Sequence, residues 1–272
     1  WTRVLVQMRQ AISHRASDQT GEYLRRHVGL AHTRLSIRDL AGGVQPMVRC
    51  RGQREYGIVY NGEIYNAAEL KQDLQSRGCR FETTCDTEVI LLGYMEYGME
   101  IARKLNGIYA FAIWDGEKDT LFLCRDRMGV KPLFYAVQGG TLVLGSEPKA
   151  VFAHPQVQPR ADLDSFREIF GLGPARTPGC GVFCGLREVK PGCMVSYTGD
   201  QLREDSYWTL EARPHTDTYA QTVEKVSWLL RDAVKRQLVS DVPVCSFLSG
   251  GIDSTVVTAI ACRELESKGH TL

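Results

Sequence analysis

Apolar residues recur along the chain in two rhythms, one helical and one strand-like. Val4, Met8, Ala11 and Ile12 stand at helical spacing and predict a first helix over 4–13. From Val28 the period shortens: Val28–Ile37 and Tyr56–Asn61 are apolar, partly β-branched stretches bounded by Gly and Asp, the pattern of strands. Asn66 stands where a side chain can cap a helix running to about Ser76, with Gly78 as its stop. Thr84 or Asp86 starts a second helix through Tyr97 to Gly98, and a short third covers about Glu100–Leu105. Four strand-like runs follow, Ile108–Trp114, Thr120–Cys124, Leu133–Val137 and Leu142–Gly145, separated by turn chemistry at Asp115-Gly116, Met128-Gly129 and Gly139-Gly140. Strands following helices in this order predict a layered α+β domain with antiparallel sheets. Gly171–Gly192 is dense in Gly and Pro, yet it holds Val182, Phe183 and Leu186, which predicts ordered loop rather than linker.

Residues 209–218 are polar and aperiodic and mark a domain boundary, with a first domain over 1–210 and a second over 219–272. In the second, Val223, Val226, Leu229, Leu230, Ala233, Val234 and Leu238 fit one helix face. Val242–Leu248 reads as a strand, followed by a Gly-Gly turn and a helical Ser254–Glu266. Helix, strand, turn, helix is the opening of an α/β domain with a parallel sheet.

Composition narrows the class. The 272 residues carry 33 Lys and Arg against 32 Asp and Glu, a net charge of +1, which argues against a general nucleic-acid binder. Hydrophobic content of 43% is that of an ordinary globular protein. No apolar run approaches the roughly 18 residues that would cross a bilayer, and Trp1–Gln10 lacks the pattern of a signal peptide. Nine cysteines, an odd number without paired spacing, read as free thiols in a reducing cytoplasm. Cys180, Cys184 and Cys193 lack the paired second half or nearby His of a zinc site. The opening on Trp1 and the stop at Leu272 lead us to expect a fragment of a longer protein.

The sharpest chemical signal is Ser249-Gly250-Gly251-Ile252-Asp253-Ser254, between the predicted strand and helix. Two glycines let the backbone approach a ligand and point successive N–H groups inward, and the helix adds its positive end, so the turn suits a phosphate or pyrophosphate. Ser249 and Ser254 add hydroxyl donors, and Asp253 can hold Mg²⁺ against phosphate oxygens. The plainer alternative is an ordinary strand-to-helix turn. In the first domain the residues taken singly stay open: Arg34 reads as a surface charge, Asn61-Gly62 as a hairpin turn, Asp86 as a helix N-cap, and Glu63 as nothing in particular.

Taken together they change meaning. The six-residue string resembles the PP-loop of the ATP pyrophosphatases. With Ser240-Asp241-Val242-Pro243 and Phe247-Leu248 before it, it resembles more closely the glutamine-hydrolysing asparagine synthetases. His32-Thr33-Arg34-Leu35-Ser36-Ile37, Gln45-Pro46-Met47, Tyr60-Asn61-Gly62-Glu63-Ile64-Tyr65-Asn66 and Asp86-Thr87-Glu88-Val89-Ile90 are similar to that family's glutaminase domain in order and spacing. So are Asn106-Gly107, Phe111–Asp115, Arg125–Leu133 and Gly145-Ser146-Glu147.

The resemblance implies an α+β chain: a four-layer αββα N-terminal-nucleophile glutaminase domain, then the start of an α/β PP-loop domain of the adenine nucleotide alpha-hydrolase kind. It implies a glutamine site of Arg34, Leu35, Ser36, Ile37, Asn61, Gly62, Glu63 and Asp86. Arg34 would clamp the α-carboxylate, Asp86 and Glu63 would recognise the ammonium group and its neighbours, and the Asn61 amide and Gly62 N–H would form the oxyanion hole. It implies an ATP site of Leu248, Ser249, Gly250, Gly251, Asp253 and Ser254, with Mg²⁺ held by Asp253 through the pyrophosphate.

The implied activity is glutamine-dependent asparagine synthesis in the cytoplasm. Glutamine, ATP and aspartate are the partners, nucleic acid and membrane are not, and a homodimer is allowed. Two alternatives stand beside it: a related PP-loop amidotransferase with a different carboxylate acceptor, and a non-catalytic glutamine- or nucleotide-binding relic. The chain departs from the family twice. The family's nucleophile is a Cys at the first position of the mature chain, and all nine cysteines here lie at 50 or later, so the chain as it stands is expected not to hydrolyse glutamine. In His14-Arg15-Ala16-Ser17-Asp18, Ala16-Ser17 replaces the usual Gly-Pro near the glutamine pocket.

Overall fold

The computed structural model describes residues 1–16, 18–267, 269 and 271–272, so the Ser17 half of the Ala16-Ser17 departure lies outside the described residues. The chain divides into two units, one of Trp1–Ser36 with Ala41–Thr209 and one of Ile37–Leu40 with Leu210–Leu272.

The first unit opens with α1 (Thr2–Gln10), somewhat shorter than the spacing predicted, followed by a hairpin of β1 (Gln19–Arg25) and β2 (Val28–Arg34). Leu5 of α1 lies over Gly29 of β2, whose bare Cα leaves room for it: a Cβ there would sit 3.4 Å from the Leu5 side chain. Next come β3 (Met47–Arg51), the long β4 (Arg54–Ile64), α2 (Ala67–Ser76), α3 (Asp86–Tyr97) and the short α4 (Ile101–Lys104). β5 (Gly107–Asp115), β6 (Thr120–Arg125), β7 (Phe134–Gln138) and β8 (Thr141–Gly145) are the four predicted strands. Then follow α5 (Pro148–Phe152), α6 (Leu163–Leu172), β9 (Leu186–Glu188), β10 (Cys193–Thr198) and β11 (Gln201–Ser206). Among the described residues all pairing is antiparallel, in a two-stranded sheet β1-β2, a six-stranded sheet β11-β10-β6-β5-β4-β3 and a three-stranded sheet β8-β7-β9.

β5 explains how these parts stack. It is apolar on both faces, and side chains alternate across a strand. Tyr109, Phe111 and Ile113 enter the largest core cluster with Ile58 and Phe122 of neighbouring strands and Leu74, Ile90, Leu91 and Ile101 of the helices. Ala110 and Ala112 point the other way, against Leu133, Tyr135, Val189 and Val195. A third cluster joins Phe134, Ala136 and Val143 to Val151 of α5, Val157 and Leu186. Leu186 and Phe183, which rests edge-on against Phe152 at 4.9 Å, anchor the Gly-rich Gly171–Gly192 stretch.

α3 is buried from Asp86 to Tyr94 on every side, as a helix apolar all round must be. Its Gly93 admits Ile101: a Cβ there would lie 2.5 Å from the Ile101 side chain. Gly98 ends it at φ +61. Asn66 does stand before α2, but its side chain makes no cap. It donates to Lys104 O at 2.9 Å and accepts from Asn106 N at 2.9 Å, tying the start of α2 to the end of α4.

The second unit holds α7 (Tyr219–Gln237) and α8 (Ile252–Glu266). Thr218 and Gln221 cap α7 reciprocally. Val242–Leu248 is not a strand. A strand is held by its ladder, and among the described residues of this unit there is none for it to pair with. The predicted apolar face of α7 is also largely uncovered: Val234 is buried, while Val223, Val226 and Leu229 are 50%, 55% and 50% exposed.

Candidate functional site

The end of one strand builds the site in the first unit. β3 pairs with β4 only as far as Met47 opposite Ile58, so β4 runs on past its neighbour. Side chains satisfy the backbone there. Tyr60 N donates to Gln45 Oε1 at 2.7 Å, Tyr60 O accepts from His32 Nε2 at 3.0 Å, and Ile64 N donates to Asp86 Oδ2 at 3.2 Å. Alternate residues of an antiparallel strand present their N–H to the same edge, which places the Gly62 N–H between these two anchors on the uncovered side. Asn61 and Gly62 are therefore mid-strand, opposite Ala110 and Tyr109 of β5, and not the hairpin turn their dipeptide also fits. Gly62 takes φ +152, and a Cβ there would lie 2.2 Å from Ile108 O and 2.6 Å from Tyr109 Cα, so no other residue fits without moving backbone. The Asn61 Nδ2 is buried and makes no hydrogen bond. A buried amide without a partner is costly unless a ligand supplies one.

Arg34 ends β2 and is 6% exposed. Its Nη1 donates to Gln19 Oε1 at 2.7 Å, and its guanidinium lies against Gly43, where a Cβ would come within 2.2 Å of Nη2 and 3.0 Å of Cys85 Sγ. Asp86, the first residue of α3, is 5% exposed and follows the N-cap Cys85, so it is not the cap itself. Its Oδ2 accepts from Tyr60 OH at 2.9 Å as well as from Ile64 N, while Oδ1 faces the Cys85 thiol at 3.6 Å. Arg34, Asp86 and the Asn61–Glu63 strand are thus gathered at the N-terminus of α3, where the helix dipole adds positive potential. Ser36 is half-buried with its Oγ sealed and unbonded, and Ser36 N donates to Asp18 Oδ2 at 2.9 Å. Leu35 and Ile37 are 60% and 43% exposed, and Ile37 groups with the second unit, where its carbonyl accepts from Asp241 N at 3.0 Å.

His32 and Cys85 complete the surroundings. Burial lowers the His32 imidazole to about 4, with the Arg34 charge pushing the same way and the hydrogen bond to Tyr60 opposing. The ring is neutral with its proton on Nε2, since that nitrogen donates to a carbonyl. Burial, and then the Asp86 carboxylate, push the Cys85 thiol above its usual range; it donates to Thr87 Oγ1 at 3.2 Å and is no activated nucleophile.

The Arg125–Leu133 string proves to be scaffold for this strand end. Asp126 accepts from Tyr109, Met128, Val130 and Lys131 N–H groups, and Arg125 donates to the Lys131, Val189 and Gly129 carbonyls. That knot holds β5 where it backs Gly62. Gln45, His32 and Tyr60 are the functional neighbours that sequence spacing did not single out. The only signal was that all three stand in the matching strings, because their role depends on where β3 stops.

In the second unit Gly250 takes φ +84 and Gly251 precedes α8 with no side-chain cap, leaving the first N–H groups of the helix open. Ser249 Oγ lies 3.0 Å from Ser254 Oγ, and Ser254 and Thr255 hydroxyls donate back to Gly251 O. Leu248, Ser249, Gly250, Gly251 and Asp253 are exposed and Ser254 half-buried. Among the described residues no group of three or more His, Cys, Asp or Glu side chains is arranged for a metal. Asp253 is a lone carboxylate, a donor set that suits magnesium carried in on phosphate oxygens and not a protein-made cage. No helix among the described residues is long and apolar enough to cross a membrane.

Comparison with known proteins places these parts. The glutamine amidotransferase domain model matches residues 2–208, and the asparagine synthase model matches 225–272. The chain is 47% identical over 262 residues to Asparagine synthetase [glutamine-hydrolyzing] 3 of Bacillus subtilis, covering 96% of this chain and 43% of that protein. It is 34% identical to Asparagine synthetase [glutamine-hydrolyzing] 1 of the same organism, covering 95% and 40%, and 33% identical to Amidase chyE of Penicillium rubens, covering 92% and 37%. The chain thus spans less than half the length of these relatives.

Proposed function

Because the chain belongs to the glutamine amidotransferase domain family, whose model covers residues 2–208, we propose that its first unit binds L-glutamine and takes part in releasing ammonia from the side-chain amide. We propose further that the whole protein uses this ammonia to make asparagine. The observation that carries the glutamine reading is the unbonded, buried Asn61 Nδ2 beside the Gly62 N–H, on a strand end that also gathers Arg34 and Asp86. In this reading Arg34 holds the α-carboxylate and Asp86 the ammonium, fixing the substrate so that its amide carbonyl reaches Asn61 and Gly62. Those two donors are fixed before the reaction, and the oxygen gains negative charge as the tetrahedral intermediate forms. They therefore act on the transition state more than on bound substrate. The three core clusters support a four-layer αββα arrangement of the domain we assign to 1–210, and in this reading Leu35, Ser36 and Glu63 stand beside the substrate.

The match of residues 225–272 supports a nucleotide-binding second domain, assigned to 219–272, with a PP-loop at Leu248–Ser254. There Ser249, Gly250, Gly251 and Ser254 would hold the pyrophosphate of ATP, and Asp253 would hold Mg²⁺. The metal, when bound, neutralises the charge of the departing pyrophosphate. In the whole protein the aspartate side-chain carboxylate would be adenylylated, and ammonia would displace AMP. Adenylylation supplies the leaving group a carboxylate lacks, and an enclosed site keeps ammonia from being protonated. One second reading keeps the same two half-reactions with another carboxylate acceptor, since a 33% identical relative over 92% of this chain is not named an asparagine synthetase.

The experiment is steady-state synthesis by the full-length protein with glutamine or ammonia as nitrogen donor. Arg34→Ala should weaken the glutamine reaction and leave the ammonia reaction intact. Asp253→Asn should stop pyrophosphate release with both donors while glutamate release continues. Equal loss with both donors in Arg34→Ala, or normal pyrophosphate release in Asp253→Asn, would overturn these roles. Pyrophosphate release without aspartate but with another carboxylate would favour the second reading.

A further inference from the structure

We propose that Tyr60 is a positioning residue of the glutamine site: its hydroxyl fixes the Asp86 carboxylate so that the remaining oxygen faces the α-ammonium of the ligand. The inference rests on the reading of Asp86 as the ammonium partner. Tyr60 and Asp86 are 4% and 5% exposed, and the phenol donates to Oδ2 at 2.9 Å. Ile64 N donates to the same oxygen at 3.2 Å. Two donors on Oδ2 set the rotation of the carboxylate, and the other oxygen faces only the Cys85 sulfur at 3.6 Å, whose single proton is directed at the nearer Thr87 Oγ1 at 3.2 Å. A buried carboxylate oxygen so placed has acceptor capacity for a charged N–H donor, the stronger kind of hydrogen bond.

Tyr60 is itself fixed at both backbone groups, by Gln45 through its N–H at 2.7 Å and by His32 through its carbonyl at 3.0 Å. Its ring lies in the main core cluster, so the hydroxyl has little freedom to follow a carboxylate that turns. Burial, and then the Asp86 charge, keep the phenol protonated and so a donor at any ordinary pH. The same residue sits one position before Asn61. The strand that carries the two carbonyl-facing donors therefore also sets the angle of the ammonium partner, and one segment indexes both ends of the substrate.

The test separates positioning from general support by using two ligands. L-Glutamine and glutaramate share the carboxylate and the amide, but glutaramate has no ammonium group. Binding of each to the 272-residue chain is measured by calorimetry for the unsubstituted protein and for Tyr60→Phe. The unsubstituted chain should prefer L-glutamine by roughly tenfold or more, since a hydrogen bond to a charged group is at stake. In Tyr60→Phe the affinity for L-glutamine should fall about tenfold while that for glutaramate changes less than about twofold, which removes most of the preference. An undiminished preference in Tyr60→Phe overturns the positioning role and leaves the reading of Asp86 standing. Equal weakening of both ligands also overturns it, because it marks a merely structural residue. No preference in the unsubstituted chain overturns the reading of Asp86 and the inference with it. If Tyr60→Phe does not fold, p-fluorophenylalanine at position 60 fills the same space without a donor and is judged by the same outcomes.

Discussion

Acidification from neutral pH to pH 4 should destabilise the first unit through the His32 side chain. Its imidazole titrates near 6.5 when unfolded and at about 4 in the folded chain, because burial penalises the charged ring. Between those two values the unfolded chain binds the extra proton and the folded chain does not, so stability rises with pH across that window and is lost as pH falls through it. At about 1.4 kcal/mol per pH unit, the gap is worth about 3 kcal/mol, all of it lost once pH is below the folded value. A cost of that size is a large share of a domain's stability. The control is His32→Gln, whose amide can still donate to Tyr60 O but does not titrate. Urea unfolding of both proteins at pH 7.5, 5.5 and 4 then isolates His32, because every other titrating group is shared. The unsubstituted chain should lose about 3 kcal/mol more than His32→Gln between the first and last of these. Parallel losses in the two proteins would show that the ring is not buried neutral, and the assignment of its proton to Nε2 would fall with that.

Three further outcomes follow from the same geometry. Gly62→Ala forces a Cβ onto the backbone of Ile108 and Tyr109 at φ +152 and should cost about 3 kcal/mol in urea unfolding; a midpoint equal to the parent would mean β4 and β5 are not paired as described. Burial pushes the Glu147 carboxyl up, but hydrogen bonds from Arg15, Lys149 and His14 outweigh it and hold it at about 2. The stability this gives is complete above the ordinary 4.5 and is lost as pH falls through 2, so the melting temperature of Glu147→Gln should lie below the parent's at neutral pH and converge with it in acid; a constant difference would contradict the pairing. A thiol reagent followed by mass spectrometry should modify exposed Cys50, Cys184 and Cys245 first and reach buried Cys85, Cys124 and Cys193 only after unfolding; early labelling of Cys85 would contradict its enclosure beside Arg34.

What the sequence made legible was what short-range pattern decides. β5 and β6 were visible because a continuous apolar run suits a strand covered on both faces, and α3 ended at Gly98 as predicted. β11 was not visible, since Gln201–Ser206 is a charged edge strand with no apolar period, and its existence depends on β10 lying beside it. α6 was missed although Asp162 and Ser165 form a capping box. The predicted strand Val242–Leu248 failed for the opposite reason: its composition is right, but pairing is a tertiary fact. The same limit governed the site. Arg34, Asn61, Gly62 and Asp86 were named from their strings, whereas the supporting roles of His32, Gln45 and Tyr60 arise only because β3 stops at Met47 and leaves the far end of β4 to be satisfied by side chains.

The central claim is that this strand end receives glutamine, and a crystal structure of the chain with L-glutamine tests it most directly. The account predicts the α-carboxylate on the Arg34 guanidinium, the ammonium within hydrogen-bond distance of Asp86 Oδ1, and the amide oxygen accepting from Asn61 Nδ2 and the Gly62 N–H. Glutamine bound elsewhere, or bound here with its amide turned away from Asn61 and Gly62, would contradict it.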